Sequence, residues 1–159
     1  FFSMQLFAEK SDGLPKEPKN SLGSATYSYE KDNLKVHQHS DRLVTDWSEF
    51  NIHNGKSVEF IQPKNSSSAL NRVHNSRPSV IEGQLTSNGN IILINPHGVL
   101  FKGGSRVEVG SLIASALDIK NENPLNKTKV INPRTIKLNW SVNFPNHKKK
   151  IALVSVATE

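Results

Sequence analysis

A run of apolar, mostly β-branched residues that ends in a tight turn constrains the fold of this chain more than any other stretch. Residues 89–101 read Gly-Asn-Ile-Ile-Leu-Ile-Asn-Pro-His-Gly-Val-Leu-Phe. Asn95, Pro96 and Gly98 stand at the type I turn positions that favour Asn, Pro and Gly. The apolar run is too short for a helix and does not alternate with polar residues. It therefore predicts a strand buried on both faces, as in a parallel sheet or a solenoid.

Short strand patterns separated by turn residues recur along much of the chain. Residues 25–29 and 34–38 alternate with period two and predict two strands joined by a turn. Residues 69–73 fit either one helical turn or a short strand, because so few residues do not establish a period. The series favours a parallel β-helix over a β-sandwich, and Asn side chains at its corners are expected to form ladders between coils.

The composition excludes several classes of protein. The chain has 159 residues and no cysteine, so disulfides and thiolate metal sites are absent. Residues 1–123 contain 13 Lys and Arg against 13 Asp and Glu, whereas residues 124–159 contain seven against one. The body of the chain therefore offers no basic patch for nucleic acid. A nucleic-acid-binding module carried by the basic tail remains a rival interpretation.

The candidate catalytic and metal-binding residues form no complete constellation. His37 and His39 point the same way from a predicted strand but lack a third ligand, which favours solvent-facing residues. Glu59, Glu82 and Glu108 stand between apolar or small neighbours, and outward solubilising charge is the favoured interpretation. Their convergence on one face would instead indicate a β-helix carbohydrate-active enzyme or binding module. We expect no catalytic residue, no metal and no cofactor.

Six motifs, in order along the chain, resemble those of one family. They are 46–52 (Asp-Trp-Ser-Glu-Phe-Asn-Ile), 58–63 (Val-Glu-Phe-Ile-Gln-Pro), 69–73 (Ala-Leu-Asn-Arg-Val), 81–89 (Ile-Glu-Gly-Gln-Leu-Thr-Ser-Asn-Gly), 93–101 (Leu-Ile-Asn-Pro-His-Gly-Val-Leu-Phe) and 107–119 (Val-Glu-Val-Gly-Ser-Leu-Ile-Ala-Ser-Ala-Leu-Asp-Ile). Together they resemble the N-terminal secretion domain of two-partner-secretion exoproteins of the filamentous-haemagglutinin type. The family turn is Asn-Pro-Asn-Gly, and His97 replaces its third residue, which a type I turn tolerates.

The resemblance implies an all-β fold, a right-handed parallel β-helix with an N-terminal cap. It divides the chain into a leader or signal remnant (1–20), an incomplete secretion-domain β-helix (21–123) and a divergent basic tail (124–159). The tail has no Gly and is left open between order and disorder. Residues 1–8 are apolar-rich and fit either the end of a secretory signal or a frayed terminus.

The resemblance also implies a function in recognition rather than catalysis. The partner would be the periplasmic part of an outer-membrane transporter, and the product a secreted or surface-exposed adhesin of a Gram-negative bacterium. Asn71 and Arg72 fit either partner recognition or closure of a loop. We predict recognition by these two residues and by Asn95, Pro96, His97 and Gly98. A monomer, and host-surface glycans or proteins as further partners, complete the expectation.

Overall fold

The computed structural model describes residues 12–116, 141–143 and 152–155, which form strands and turns. The strands in chain order are β1 Lys19–Leu22, β2 Ala25–Tyr29, β3 Asn33–Gln38, β4 Arg42–Trp47, β5 Ser57–Ile61, β6 Ser68–Val73, β7 Ser79–Ile81, β8 Gln84–Ser87, β9 Asn90–Ile94, β10 Val99–Phe101, β11 Arg106–Glu108, β12 Ser111–Ser115, β13 Ser141–Asn143 and β14 Ala152–Ser155.

Parallel pairing arranges these strands on three sides of a solenoid. Side 1 contains β3, β5, β8, β11 and β13, side 2 contains β4, β6, β9, β12 and β14, and side 3 contains β7 and β10. Strands that follow one another along the chain, such as β5, β6 and β7, lie on successive sides, so each coil visits all three. The result is an all-β parallel solenoid of about four turns, which confirms the predicted fold class.

On side 2, the parallel register places apolar residues of one coil beside apolar residues of the next. Leu43 pairs with Ala69, Ala69 with Ile91, and Ile91 with Leu112. Each of these four residues is 0 or 1 % exposed and belongs to the interior core. Parallel in-register pairing keeps every inward position inward in the next coil, so the apolar period of each strand builds one continuous core.

The strand β9 is buried on both faces, as its unbroken apolar run predicts. Ile91 and Leu93 belong to the interior core, whereas Ile92 and Ile94 form a second cluster on the outer face of side 2. Leu70 on β6 belongs to this outer cluster and is 1 % exposed. At β9, side 2 is therefore apolar on both surfaces, unlike an ordinary sheet that faces water on one side.

Two antiparallel strands close the N-terminal end of the solenoid. β2 pairs with β3 at the end of side 1, and β1 pairs with β4 at the end of side 2. Beneath them, Trp47 packs edge-on against Tyr27 and Phe50, with ring centroids 5.5 and 5.4 Å apart. Trp47 and Phe50 are each 1 % exposed. These strands and rings form the cap, and they cover an edge that would otherwise be a template for pairing.

A polar ladder runs inside the corner between sides 1 and 2. Gln62 Nε2 donates a 3.1 Å hydrogen bond to Gln38 Oε1, and Gln38 Nε2 reaches the Ser68 carbonyl at 3.2 Å. Both glutamines are about 95 % buried, with exposures of 4 and 5 %. The expected amide ladder thus exists at this corner. Two glutamines form its first step, and the Asn88 side chain extends it to the next coil, where its Nδ2 donates to the Gln62 carbonyl at 2.8 Å and its Oδ1 accepts from Gln62 N at 2.7 Å.

The structure can be compared with three local predictions from the sequence. Residues 69–73, left open between helix and strand, lie in the strand β6. Within the predicted leader, Leu14 is fully buried in the core and β1 begins at Lys19. Within the predicted tail, β13 pairs with β11 and β14 pairs with β12, both in parallel. The division of the chain at residues 20 and 123 stays a prediction. The 1–8 segment lies outside the described residues.

Candidate recognition site

The turn at residues 95–98 has the hydrogen bonds of its predicted type. Gly98 N donates to Asn95 O at 2.8 Å, which closes the four-residue turn. His97 N also donates to Asn95 Oδ1 at 3.0 Å, so the asparagine side chain braces the turn from inside. Gly98 has a φ of 110°, a left-handed conformation that side chains disfavour. The turn therefore requires glycine at its fourth position and does not require asparagine at its third.

The four turn residues divide sharply by exposure. Asn95 is fully buried, and its Nδ2 donates to the carbonyl of Arg77 at 2.9 Å and to Ser79 Oγ at 3.1 Å, both in the preceding coil. Pro96 and His97 are exposed at the corner where side 2 passes into side 3. Asn95 thus ties one coil to the next, while Pro96 and His97 are the residues that the folded turn presents to solvent.

Asn71 lies in the solenoid interior and is fully buried. Its Oδ1 accepts a 2.9 Å hydrogen bond from Trp47 Nε1 in the coil above, and its Nδ2 donates to the Ile92 carbonyl at 3.2 Å in the coil below. A buried amide with these partners satisfies the indole N–H that would otherwise be orphaned under the cap. In the folded domain Asn71 joins three coils and is not accessible to a partner.

Arg72 points to the opposite face of side 2 and meets Asp46 on β4. Its Nε and one terminal nitrogen each donate a 2.8 Å hydrogen bond to the two oxygens of the Asp46 carboxylate. The same terminal nitrogen donates to Ser21 Oγ on β1 at 3.2 Å, and the Ser21 hydroxyl donates to Asp46. His74 Nε2 approaches Asp46 Oδ1 at 2.5 Å. We call Ser21, Asp46 and Arg72 the clamp.

The clamp changes the acidity of its carboxyl group. Burial raises the pKa of Asp46, but hydrogen bonds from Arg72, Ser21 and His74 outweigh burial and lower the pKa to about 2. The Asp46 side chain is only 16 % exposed, so solvent screens this ion pair less than it screens a surface pair. The carboxylate is therefore ionised in the folded domain throughout the neutral and mildly acidic range.

We expect the folded domain to lose, in acid, the stability that the lowered pKa of Asp46 provides. A folded pKa of about 2, against about 3.9 in an unfolded chain, stabilises the folded domain by about 2–3 kcal/mol above about pH 4. That contribution is lost as the pH falls from about 4 to 2, because the unfolded chain then binds the proton first. Urea unfolding of the wild type and Asp46→Asn at a series of pH values measures it. Parallel pH profiles for the two proteins would contradict it.

The structure brings the two predicted groups of recognition residues to one corner. Asn71 pairs with Leu93, and Arg72 pairs with Ile94, the residue before Asn95. Both groups therefore lie at the ends of adjacent strands of side 2. Asp46, Ser21 and His74 were missed, because only the strand order of side 2 shows that β4 lies beside β6 and β1 beside β4. Recognition by the six residues stays a prediction.

The three candidate carboxylates do not converge among the described residues. Glu59 on β5 and Glu108 on β11 line one shallow pocket on side 1, with Thr86 between them. Glu82 follows β7 on side 3. No group of three His, Asp or Glu in the described part of the chain could hold a metal ion. The carbohydrate-active alternative is not favoured.

Within the described part of the chain, no helix is long and apolar enough to cross a membrane.

His37 is partly exposed, and His39 is exposed with its Nε2 2.8 Å from Thr26 Oγ1. These histidines follow the solvent-facing interpretation of the sequence.

The capped parallel solenoid and its Asn-Pro-x-Gly corner define a class of β-helical domain. A family model described as the TPS secretion domain matches residues 13–157, and the chain belongs to this family. The match extends beyond the six motifs into residues 124–157, which carried no recognisable pattern.

Known proteins of Haemophilus influenzae resemble the chain in sequence and in fold. Two curated sequences, both called heme/hemopexin-binding protein, are 36 % identical over 107 residues, which is 67 % of this chain and 12 % of theirs. The crystal structure of the HMW1 secretion domain superimposes with a TM-score of 0.67 at 31 % identity, over 70 % of this chain and 30 % of that one. The chain thus spans about an eighth of the curated relatives it matches.

Proposed function

We propose that the periplasmic part of an outer-membrane two-partner-secretion transporter recognises this domain before it folds. The family match over residues 13–157 is the observation that carries the proposal. The exoprotein then crosses the outer membrane, and the domain folds outside the cell into the solenoid. On this proposal the domain performs no catalysis, and its product is secreted or held at the surface of a Gram-negative bacterium.

Burial supports recognition ahead of folding. Asn71 and Asn95 are fully buried and Arg72 is 7 % exposed, so a partner meets these side chains only in an unfolded or partly folded chain. An extended chain also offers its backbone N–H and C=O groups, which suits recognition by addition of a strand to a sheet edge. Among the six predicted residues, Pro96 and His97 remain exposed after folding and Gly98 remains partly exposed.

Secretion with a candidate transporter encoded beside the gene tests the proposal. The wild-type chain is expected in the culture medium when the transporter is present and in the periplasm when it is absent. The double variant Asn95→Ala/Pro96→Ala is expected to stay in the periplasm, since it removes the side chains of the recognition turn. Immunoblots of medium and periplasm measure the distribution.

Two controls separate recognition from stability. Asn54→Ala alters an exposed turn on a different corner and is expected to leave secretion unchanged. Pro96→Ala/His97→Ala alters only exposed turn residues, so a loss of secretion with normal urea unfolding indicates recognition. A wild-type chain retained in the periplasm with its transporter, together with no effect of the turn variants, would refute the proposal.

The remaining partner expectations stand as predictions. They are host-surface glycans or proteins as further partners, no binding of nucleic acid, and a monomeric state. Salt-dependent DNA binding that disappears on removal of residues 124–159 would favour the nucleic-acid rival.

A further inference from the structure

The clamp joins three neighbouring strands of side 2 through one carboxylate. The strand order at this end is β1, β4, β6, and Asp46 on the middle strand contacts Ser21 on one neighbour and Arg72 on the other. Arg72 and Ser21 are 51 positions apart in sequence, and Arg72 and Asp46 are 26 apart. The clamp therefore forms only when the cap strand, the first coil and the second coil have all assembled.

Polar contacts hold the cap strand β1 against its neighbours: Asn20 Oδ1 accepts hydrogen bonds from Tyr27 Oη and Thr45 Oγ1, and Ser21 takes part in the clamp. The four residues of β1 are all exposed, and a register shift between Asn20 and Leu22 interrupts its pairing with β4. Ser21 lies at this shift, and its hydroxyl reaches both charged partners of the clamp. With so little apolar burial in β1, polar contacts carry much of its attachment.

Arg72 is also one of the residues proposed above to meet the transporter. In the folded domain two hydrogen bonds of 2.8 Å hold its guanidinium against Asp46. A fork-to-fork pair of this kind fixes the guanidinium in position and occupies the donors that another carboxylate would use. Folding and recognition thus compete for the same side chain.

We propose that Asp46 is the positioning residue that withdraws Arg72 from the transporter as the cap closes. This inference rests on the proposed function. Asp46 makes no contact with the partner. It captures Arg72 and Ser21 when β1, β4 and β6 come together, and so makes release of the domain a consequence of its folding.

Asp46→Asn tests the clamp in the folded domain, because it keeps the shape of the side chain and removes its charge. Hydrogen exchange of the β1 amides is expected to accelerate about tenfold or more, since the cap strand loses charge-assisted contacts. Asp32→Asn is the matched control. Asp32 also pairs with a cation, Lys56 at 2.8 Å, but its side chain is 56 % exposed and lies away from β1. Unchanged β1 exchange in Asp46→Asn would overturn the clamp.

A second measurement tests the withdrawal of Arg72. The full chain is unfolded in urea, diluted into buffer with the purified periplasmic part of the transporter, and captured after increasing delays. Asp46→Asn is expected to bind as well as the wild type at the earliest time, and to lose binding several-fold more slowly. Arg72→Gln is expected to bind more weakly from the start. Equal rates of loss for Asp46→Asn and the wild type would overturn the inference.

The outcomes distinguish this inference from the proposed function. No binding of the unfolded wild type would refute the function, while the exchange of β1 would still report the clamp. If Asp46→Asn does not fold, Ser21→Ala replaces it as the test variant, because it removes one contact from the clamp and leaves the ion pair. It is expected to show the same direction of change in β1 exchange, and no change would count against the clamp.

Discussion

Trp47→Ala is expected to lower the free energy of unfolding by about 3–5 kcal/mol, the range measured for removal of large buried aromatic side chains. The indole ring is 1 % exposed and packs edge-on against Tyr27 and Phe50 under the cap. Its removal leaves a cavity and also deprives the buried Asn71 Oδ1 of its 2.9 Å hydrogen bond. Urea unfolding followed by far-ultraviolet circular dichroism measures the loss.

Two further variants separate packing from hydrogen bonding at this position. Trp47→Phe keeps an aromatic ring and removes the N–H, so its effect is expected to lie between those of the wild type and the alanine variant. Leu100→Ala removes a side chain that is 50 % exposed and is expected to change stability by less than about 1 kcal/mol. Equal losses for Trp47→Ala and Leu100→Ala would show that the cap ring does not hold the fold together.

Gly83→Ala is also expected to lower the free energy of unfolding, for a steric reason. A Cβ at Gly83 would lie 2.2 Å from the Lys56 carbonyl oxygen and 2.5 Å from that of His53, both backbone atoms of the preceding coil. Because backbone atoms yield little, the coils must separate locally, and an overpacked site of this kind costs about 1–3 kcal/mol or more.

Gly103→Ala is the matched control for that steric effect. Nothing lies within 4 Å of a Cβ built at Gly103, and its φ does not fall in the left-handed range. The same chemical change there is expected to leave thermal unfolding almost unmoved. A common shift of the melting temperature in both variants would indicate a general effect of the methyl group instead of contact between coils.

The fold was predictable because its signals are local. The apolar run 91–94 and the turn that begins at Asn95 are each visible in a few consecutive residues, and the structure shows β9 buried on both faces with the predicted turn bond. Trp47 and Phe50 lie three residues apart within the motif 46–52, and both are packed beneath the cap.

The predictions that failed or stayed open depend on register between coils. Residues 69–73 carry no period that separates helix from strand. They lie in a strand, β6, because they pair with β4 and β9. The corner ladder uses Gln38 and Gln62, whose positions become neighbours only through a full turn of the chain. Asp46 stood inside a recognised motif, yet nothing along the sequence connects it with Arg72 or Ser21.

The cap gives the solenoid a direction. Antiparallel strands β1 and β2 end sides 2 and 1 at the N-terminal end, so new parallel pairing proceeds only away from them. Each coil laid down buries apolar side chains of the coil before it, at about 1.5–3 kcal/mol for each large one. Separation of a coil from its predecessor therefore becomes less favourable with each coil added, and the solenoid grows in one direction only, away from the cap.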